Sequence, residues 1–139
     1  MGVFKIVRYL LDTYVWVKAE TSPDQLGSRC RSILADEANQ LFISSISSLE
    51  LAQLTYRKRI TLLADLSQWV RRSCENLRIQ TIDVDHEIAI SAYNLPDKFH
   101  KDPADRILVA TSRLRQMPLI TTDDKILKGR FTTCVNARV

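Results

Sequence analysis

Residues 41–50, Leu41-Phe42-Ile43-Ser44-Ser45-Ile46-Ser47-Ser48-Leu49-Glu50, pass from a short apolar run into a helix start. Leu41 to Ser44 has the length and bulk of a buried strand. Ser47 and Glu50 stand three apart, the spacing of a capping box, in which a serine hydroxyl and a glutamate carboxylate satisfy each other's backbone amides. The helix they open is predicted to run to about Arg59. A strand feeding directly into a helix is the repeating unit of an α/β domain.

The same unit recurs on either side. Upstream, Lys5 to Leu11 (KIVRYLL) is an apolar, β-branched run that ends at Asp12-Thr13, where a helix can start. A short helical segment is expected from about Tyr14 to Glu20. Pro23 opens a second helical stretch to about Ala38, with Leu26, Cys30, Ile33 and Leu34 on one face. Downstream, Leu62 to Asn76 reads as a helix whose inner stripe is Leu66, Trp69, Val70 and Ser73, and Ile79 to Ile82 as the third strand. Asp85 to about Leu95 is a helix closed by Pro96, and Lys98 to Lys101 a basic loop. Asp102 caps the next helix, with Pro103 at its favoured first position. Pro118 to Thr122 is a fourth strand and Thr132 to Val135 a candidate fifth. Strands alternating with helices predict a parallel sheet covered on both faces, in one domain spanning residues 1–139.

Bulk properties narrow the function. A hydrophobic fraction of 45% supports a real core, and 26% charged residues with three Gly and four Pro exclude a low-complexity chain. Three widely spaced cysteines, Cys30, Cys74 and Cys134, give neither a Cys-x-x-Cys pair nor a disulfide framework. No secretory signal or membrane-length apolar run is seen, so a cytoplasmic location is expected. Net charge is +4, a mild basic excess that hints at a polyanionic partner.

Four acids stand out by position. Asp12, Glu50 and Asp123 lie at or just beyond the carboxyl end of a strand, and Asp105 lies in the first turn of the helix that leads into strand four. Ligands of open α/β sheets bind at that end. Each acid alone has an ordinary structural account. Asp12 can cap a helix, Glu50 can complete the capping box, and Asp105 suits a helix N-terminus or an ion pair with Arg106 or Arg113. Asp123 can be a turn residue before Lys125. Together they are harder to explain, because clustered carboxylates repel and a divalent cation relieves the repulsion. Oxygen-only ligands select Mg²⁺ or Mn²⁺, and the absence of a His-x-x-x-His pair or Cys cluster disfavours zinc. Carboxylate-bound Mg²⁺ suits phosphodiester hydrolysis by water. No Ser or Cys nucleophile with a His partner is evident. His86 is read as lying on a solvated helix face, and His100 as a loop residue more than a phosphate contact. The Asp12-Thr13-Tyr14 spacing fails the Asp-x-Asp of dehalogenase-type phosphatases. Ser44-Ser45 after strand two does not fit a phosphoacceptor receiver either.

The ordered stretches Leu10-Leu11-Asp12-Thr13, Ile43 to Glu50, Leu95-Pro96, Asp102-Pro103-Ala104-Asp105-Arg106-Ile107-Leu108-Val109-Ala110 and Leu119-Ile120-Thr121-Thr122-Asp123 resemble the PIN domain, most closely the VapC-type toxins of prokaryotic toxin–antitoxin modules. The resemblance covers about residues 8–136. It implies a PIN-like sheet of about five parallel strands flanked by helices on both faces, and an Mg²⁺- or Mn²⁺-dependent endoribonuclease. Asp12, Glu50, Asp105 and Asp123 match the family's acids. Asp12 and Asp105 would be the firmest metal ligands, Glu50 would complete the shell or orient water, and Asp124 competes with Asp123 for the fourth place. Asp102 would be an outer residue, Thr13 and Ser47 hydrogen-bond partners, and Arg106 an anchor of its helix or partner of a carboxylate. The resemblance also implies an RNA substrate such as a tRNA, a VapB-like antitoxin and a homodimer. The region from Leu49 to Leu66 is the candidate antitoxin face. Tyr56-Arg57-Lys58-Arg59 suits either an acidic antitoxin tail, RNA phosphates or simply solvent. Trp16 and Trp69 are read as core. The alternatives are a PIN nuclease of RNA maturation or decay without an antitoxin, and a non-catalytic PIN scaffold.

Overall fold

The computed structural model describes residues 6–62, 65–96, 99 and 102–139. Leu10 and Leu11 are both fully buried, so the strand that carries them must have neighbours on both edges and cover on both faces. That strand is β1 (Arg8–Leu11), the centre of an all-parallel sheet with β2 (Gln40–Ser44), β3 (Ile79–Ile82), β4 (Leu119–Thr121) and β5 (Cys134–Asn136), in the order β3-β2-β1-β4-β5. Leu10 is opposite Phe42 on one edge and Leu119 on the other. The helices are α1 (Thr13–Thr21), α2 (Ser28–Ala35), α3 (Ser45–Tyr56), α4 (Leu66–Leu77), α5 (His86–Ser91), α6 (Pro103–Arg115) and α7 (Asp124–Gly129).

The period-two alternation of the strands divides the apolar residues into two cores. Leu11, Leu41, Ile43 and Ile120 join Val15, Trp16, Cys30 and Leu51 in one. Leu10 and Leu119 join Leu95, Phe99, Leu108, Val109 and Ile126 in the other. Each fully buried Leu, Ile or Val contributes about 1.5–3 kcal/mol. Trp16 lies in the first core, tilted against Trp69 at 5.2 Å between ring centroids. Its indole N–H donates to the buried Ser73 hydroxyl at 2.9 Å, so the polar residue on the predicted inner stripe of α4 has a reason to be there.

Several helix bounds differ from the sequence expectation. The capping box is not formed. The N-cap of α3 is Ser44, whose hydroxyl accepts from the Ile46 amide at 3.1 Å, and Ser47 lies buried within the helix. The stretch from Pro23 is broken into a single 3-10 turn, Pro23–Gln25, and α2. The break is at Gly27, whose amide donates to the Ala137 carbonyl at 2.9 Å. A β-carbon there would fall 2.2 Å from the Val139 backbone, so the close approach needs glycine. Helix α5 stops at Ser91, short of Leu95, and α7 forms where only a turn at Asp123 is expected. Lys5, Leu63, Lys98, His100 and Lys101 lie outside the described residues. No helix among the described residues is long and apolar enough to cross a membrane.

Candidate active site

The chain moves from β1 outward to β2 and β3 on one side, then returns to place β4 on the other side of β1. The two crossovers part at the carboxyl ends of β1 and β4, which is the crevice where ligands of open parallel sheets bind. Asp12 follows β1 directly and Asp123 follows β4 by one residue beyond Thr122. The two strand ends are tied together, with the Asp12 amide donating to the Ile120 carbonyl at 2.9 Å. Glu50 stands on α3, which follows β2, and Asp105 stands in the first turn of α6.

Asp12 occupies the N-cap position of α1, where its side chain makes no cap hydrogen bond. Its carboxylate, only 8% exposed, turns to β4 and accepts from the Thr121 hydroxyl at 2.6 Å. Burial pushes the Asp12 carboxyl up. The Thr121 hydroxyl and the Thr13 and Tyr14 amides pull it down, and the charge of Asp123 pushes it up again. Thr121 is itself fully buried and also accepts from the Asp123 amide at 3.0 Å. One hydroxyl therefore sets the position of two acids. In the sequence Thr121 reads only as part of a strand, one of two adjacent threonines between Ile120 and Asp123.

Glu50 is not a capping residue either. The Thr13 hydroxyl lies 2.5 Å from its Oε1 and 2.7 Å from the Ser47 hydroxyl. A hydroxyl carries one proton, so Thr13 donates to one of the two at a time, and the carboxylate is the stronger acceptor. Burial pushes the Glu50 carboxyl up, Thr13 opposes this, and the charges of Asp12 and Asp102 add to the rise. Asp102 caps α6, its Oδ1 accepting from the Ala104 and Asp105 amides at 2.9 and 3.3 Å, as the sequence predicts.

Asp105 feels the charges of the other acids. Its carboxyl is pushed up to about 8, by burial first and then by the charges of Asp102, Asp12, Asp123 and Glu50. The other three predicted acids are thus within electrostatic reach of Asp105. Asp123 spends one carboxylate oxygen capping α7, accepting from the Ile126 amide at 3.0 Å. Asp124 is exposed and faces away to Arg138 at 2.5 Å, which lowers its carboxyl. Arg106 anchors its helix. Its guanidinium donates to the Ala92 and Phe99 carbonyls at 3.1 and 3.3 Å and lies 4.9 Å from the Tyr93 ring centroid. Arg113 donates to the Phe131 carbonyl at the far end of α6.

Among the described residues, no three His, Cys, Asp or Glu side chains are drawn tightly enough to hold an ion as they stand. The donor chemistry nevertheless fits a hard divalent cation. Three carboxyls are pushed up by burial and by one another, and every candidate ligand is an oxygen. A cleft of about 550 Å³, lined by residues that include Ser112, Arg113, Met117 and Phe131, lies at the opposite end of α6, and none of the acids lines it.

Comparison with known proteins bears on the family and the fold. Residues 9–131 match the PIN domain family. The chain is 34% identical over 123 residues to Ribonuclease VapC22 of Mycobacterium tuberculosis, covering 87% of this chain and 91% of that protein. Its fold superposes on a toxin–antitoxin complex from Klebsiella pneumoniae with a TM-score of 0.62 at 21% identity, covering 93% of this chain and 97% of that one. VapBC-1 of nontypeable Haemophilus influenzae superposes with a TM-score of 0.64 at 14% identity, covering 94% and 98%. The chain belongs to the PIN-domain family, and within it to the VapC branch.

Proposed function

We propose that this VapC-type chain is an Mg²⁺-dependent endoribonuclease, the toxin of a type II toxin–antitoxin pair, with Asp12, Glu50, Asp105 and Asp123 as its site. One observation supports the reading: Asp105 feels the charges of Asp12, Glu50 and Asp123, which come from three other segments of the chain, and the carboxyls of Asp12, Glu50 and Asp105 are all pushed up. Such a cluster is costly to keep unless a cation balances it. The 34% identity to a ribonuclease over most of both chains supports RNA as the substrate.

Asp12 and Asp105 would hold the ion, with Glu50 and Asp123 completing its surroundings. Bound there, Mg²⁺ supplies a polarised water and charge stabilisation for phosphodiester hydrolysis. Thr121 fixes the Asp12 carboxylate through its Oδ2. Thr13 orients Glu50 through its bond to Oε1, and Ser47 in turn contacts the Thr13 hydroxyl. Burial of Asp12 keeps bulk water off its carboxylate, which strengthens electrostatic interactions made there.

A VapB-like antitoxin is the partner we assign. The structural neighbour from Klebsiella pneumoniae is itself a toxin–antitoxin complex. On this chain, α3 exposes Leu49 and Tyr56, by 53% and 89%, followed by the exposed Arg57, Lys58 and Arg59. Apolar residues beside a basic run fit an acidic, partly apolar segment. Purified protein is expected to cleave RNA in Mg²⁺, to stop in EDTA, and to lose cleavage on Asp12→Asn or Asp105→Asn with the fold retained. Expression without a partner is expected to slow growth, and either substitution to relieve it. Undiminished cleavage by both variants would overturn the site. Cleavage without growth arrest would leave a PIN nuclease that is not a toxin.

A further inference from the structure

The site chemistry leaves Tyr14 unused, although it stands beside the acids. It follows Asp12 by two positions, in the first turn of α1. The preceding Thr13 bonds Glu50. The next two residues, Val15 and Trp16, are fully buried, yet Tyr14 is 50% exposed. One turn further along α1 the Lys18 ammonium lies 5.4 Å from the centroid of the Tyr14 ring. Residues four apart on a helix share a face, so ring and cation are presented together.

We propose that Tyr14 and Lys18 form a docking platform for one unpaired nucleotide of the RNA, next to the bond that the acids cleave. This rests on the ribonuclease reading of the acid cluster. The ring offers a π face to a base, and the ammonium, held in advance by the ring, offers a positive charge to the adjoining phosphate. A base inside a duplex already has both faces covered by its neighbours and cannot take the position. Stacking on an aromatic ring tolerates any base, so the platform selects for single strands and not for sequence.

The test compares steady-state kinetics of the full chain on a short single-stranded RNA and on the same RNA annealed to its complement. Tyr14→Ala is expected to raise KM on the single strand on the order of ten-fold with kcat changed less than about two-fold, and to shrink the preference over duplex. Tyr14→Phe is expected to behave like wild type. Lys18→Gln is expected to raise KM and weaken its dependence on salt. As a readout independent of cleavage, Tyr14→Ala in an Asp105→Asn background is expected to weaken binding of a labelled single strand measured by anisotropy. Unchanged KM and unchanged anisotropy for Tyr14→Ala overturn the platform while leaving a working ribonuclease. A wild-type protein that cuts no RNA overturns the ribonuclease reading instead. Loss of antitoxin binding by Tyr14→Ala, with RNA binding intact, assigns the ring to the antitoxin and also overturns the platform.

Discussion

Thr121→Val removes one hydroxyl and nearly nothing else, because valine has the shape of threonine. Two bonds disappear: the 2.6 Å donation to Asp12 Oδ2 and the 3.0 Å bond accepted from the Asp123 amide. A hydrogen bond to a charged group contributes about 1.5–3 kcal/mol and a neutral one about 0.5–1.5, and here both partners stay buried or half-buried without replacement. The methyl that takes the hydroxyl's place recovers roughly 0.8 kcal/mol through burial. The expected net loss is about 2–3 kcal/mol. For a domain of this size each kcal/mol moves Tm by about 3–5 °C, so a fall of roughly 10 °C is expected. Urea unfolding in EDTA at neutral pH measures the free energy directly. Thr121→Ser keeps the hydroxyl and loses only a methyl, at a cost of about 1 kcal/mol. The reasoning is refuted if Val is within about 0.5 kcal/mol of wild type, or if Ser is the more damaging substitution.

Other expectations follow from the same contacts. Ser73→Ala leaves the buried Trp16 indole N–H without an acceptor and is expected to cost about 1–3 kcal/mol in urea unfolding. Gln116 ends α6 in the left-handed region at φ 53°, so Gln116→Gly is expected to stabilise by about 0.5–1 kcal/mol, read as a raised urea midpoint. The raised Asp105 carboxyl makes a pH prediction. A group with folded pKa about 8 against 3.8 unfolded binds its proton more tightly when folded. Its stabilising effect is complete below 3.8 and is lost as pH rises through about 8. Metal-free protein is expected to lose Tm across that window, and Asp105→Asn to flatten the decline. A decline of equal slope in the variant would contradict the assignment.

Local chemistry made parts of this molecule legible from sequence. Leu41 to Ser44 lies in a strand because a buried sheet suits such a short apolar run, and Asp102-Pro103 starts α6 because proline needs no amide partner at a first helical position. Helix ends were harder. Arg78 and Gln116 close α4 and α6 in the left-handed region without a glycine to mark them, and Arg130 closes α7 in that region one residue after Gly129. The serine-rich stretch from Ser44 to Ser48 offers several capping registers, and tertiary packing chose Ser44 over Ser47 because the Ser47 hydroxyl is needed at Thr13. The acids could be chosen by their places after strands. Their mutual arrangement could not, since it depends on β4 pairing with β1, and the Thr121–Asp12 bond spans 109 positions.

The central claim is that the acids at the β1–β4 crevice form a divalent-cation site. Calorimetric titration of Mn²⁺ into metal-free protein tests it most directly. Wild type is expected to show one saturable binding process with release of protons, because ion binding displaces the proton held by the raised carboxyls. The Asp12→Asn/Asp105→Asn double variant, folded by circular dichroism, is expected to show none. Equal binding by the double variant, or no binding by wild type, would contradict the account.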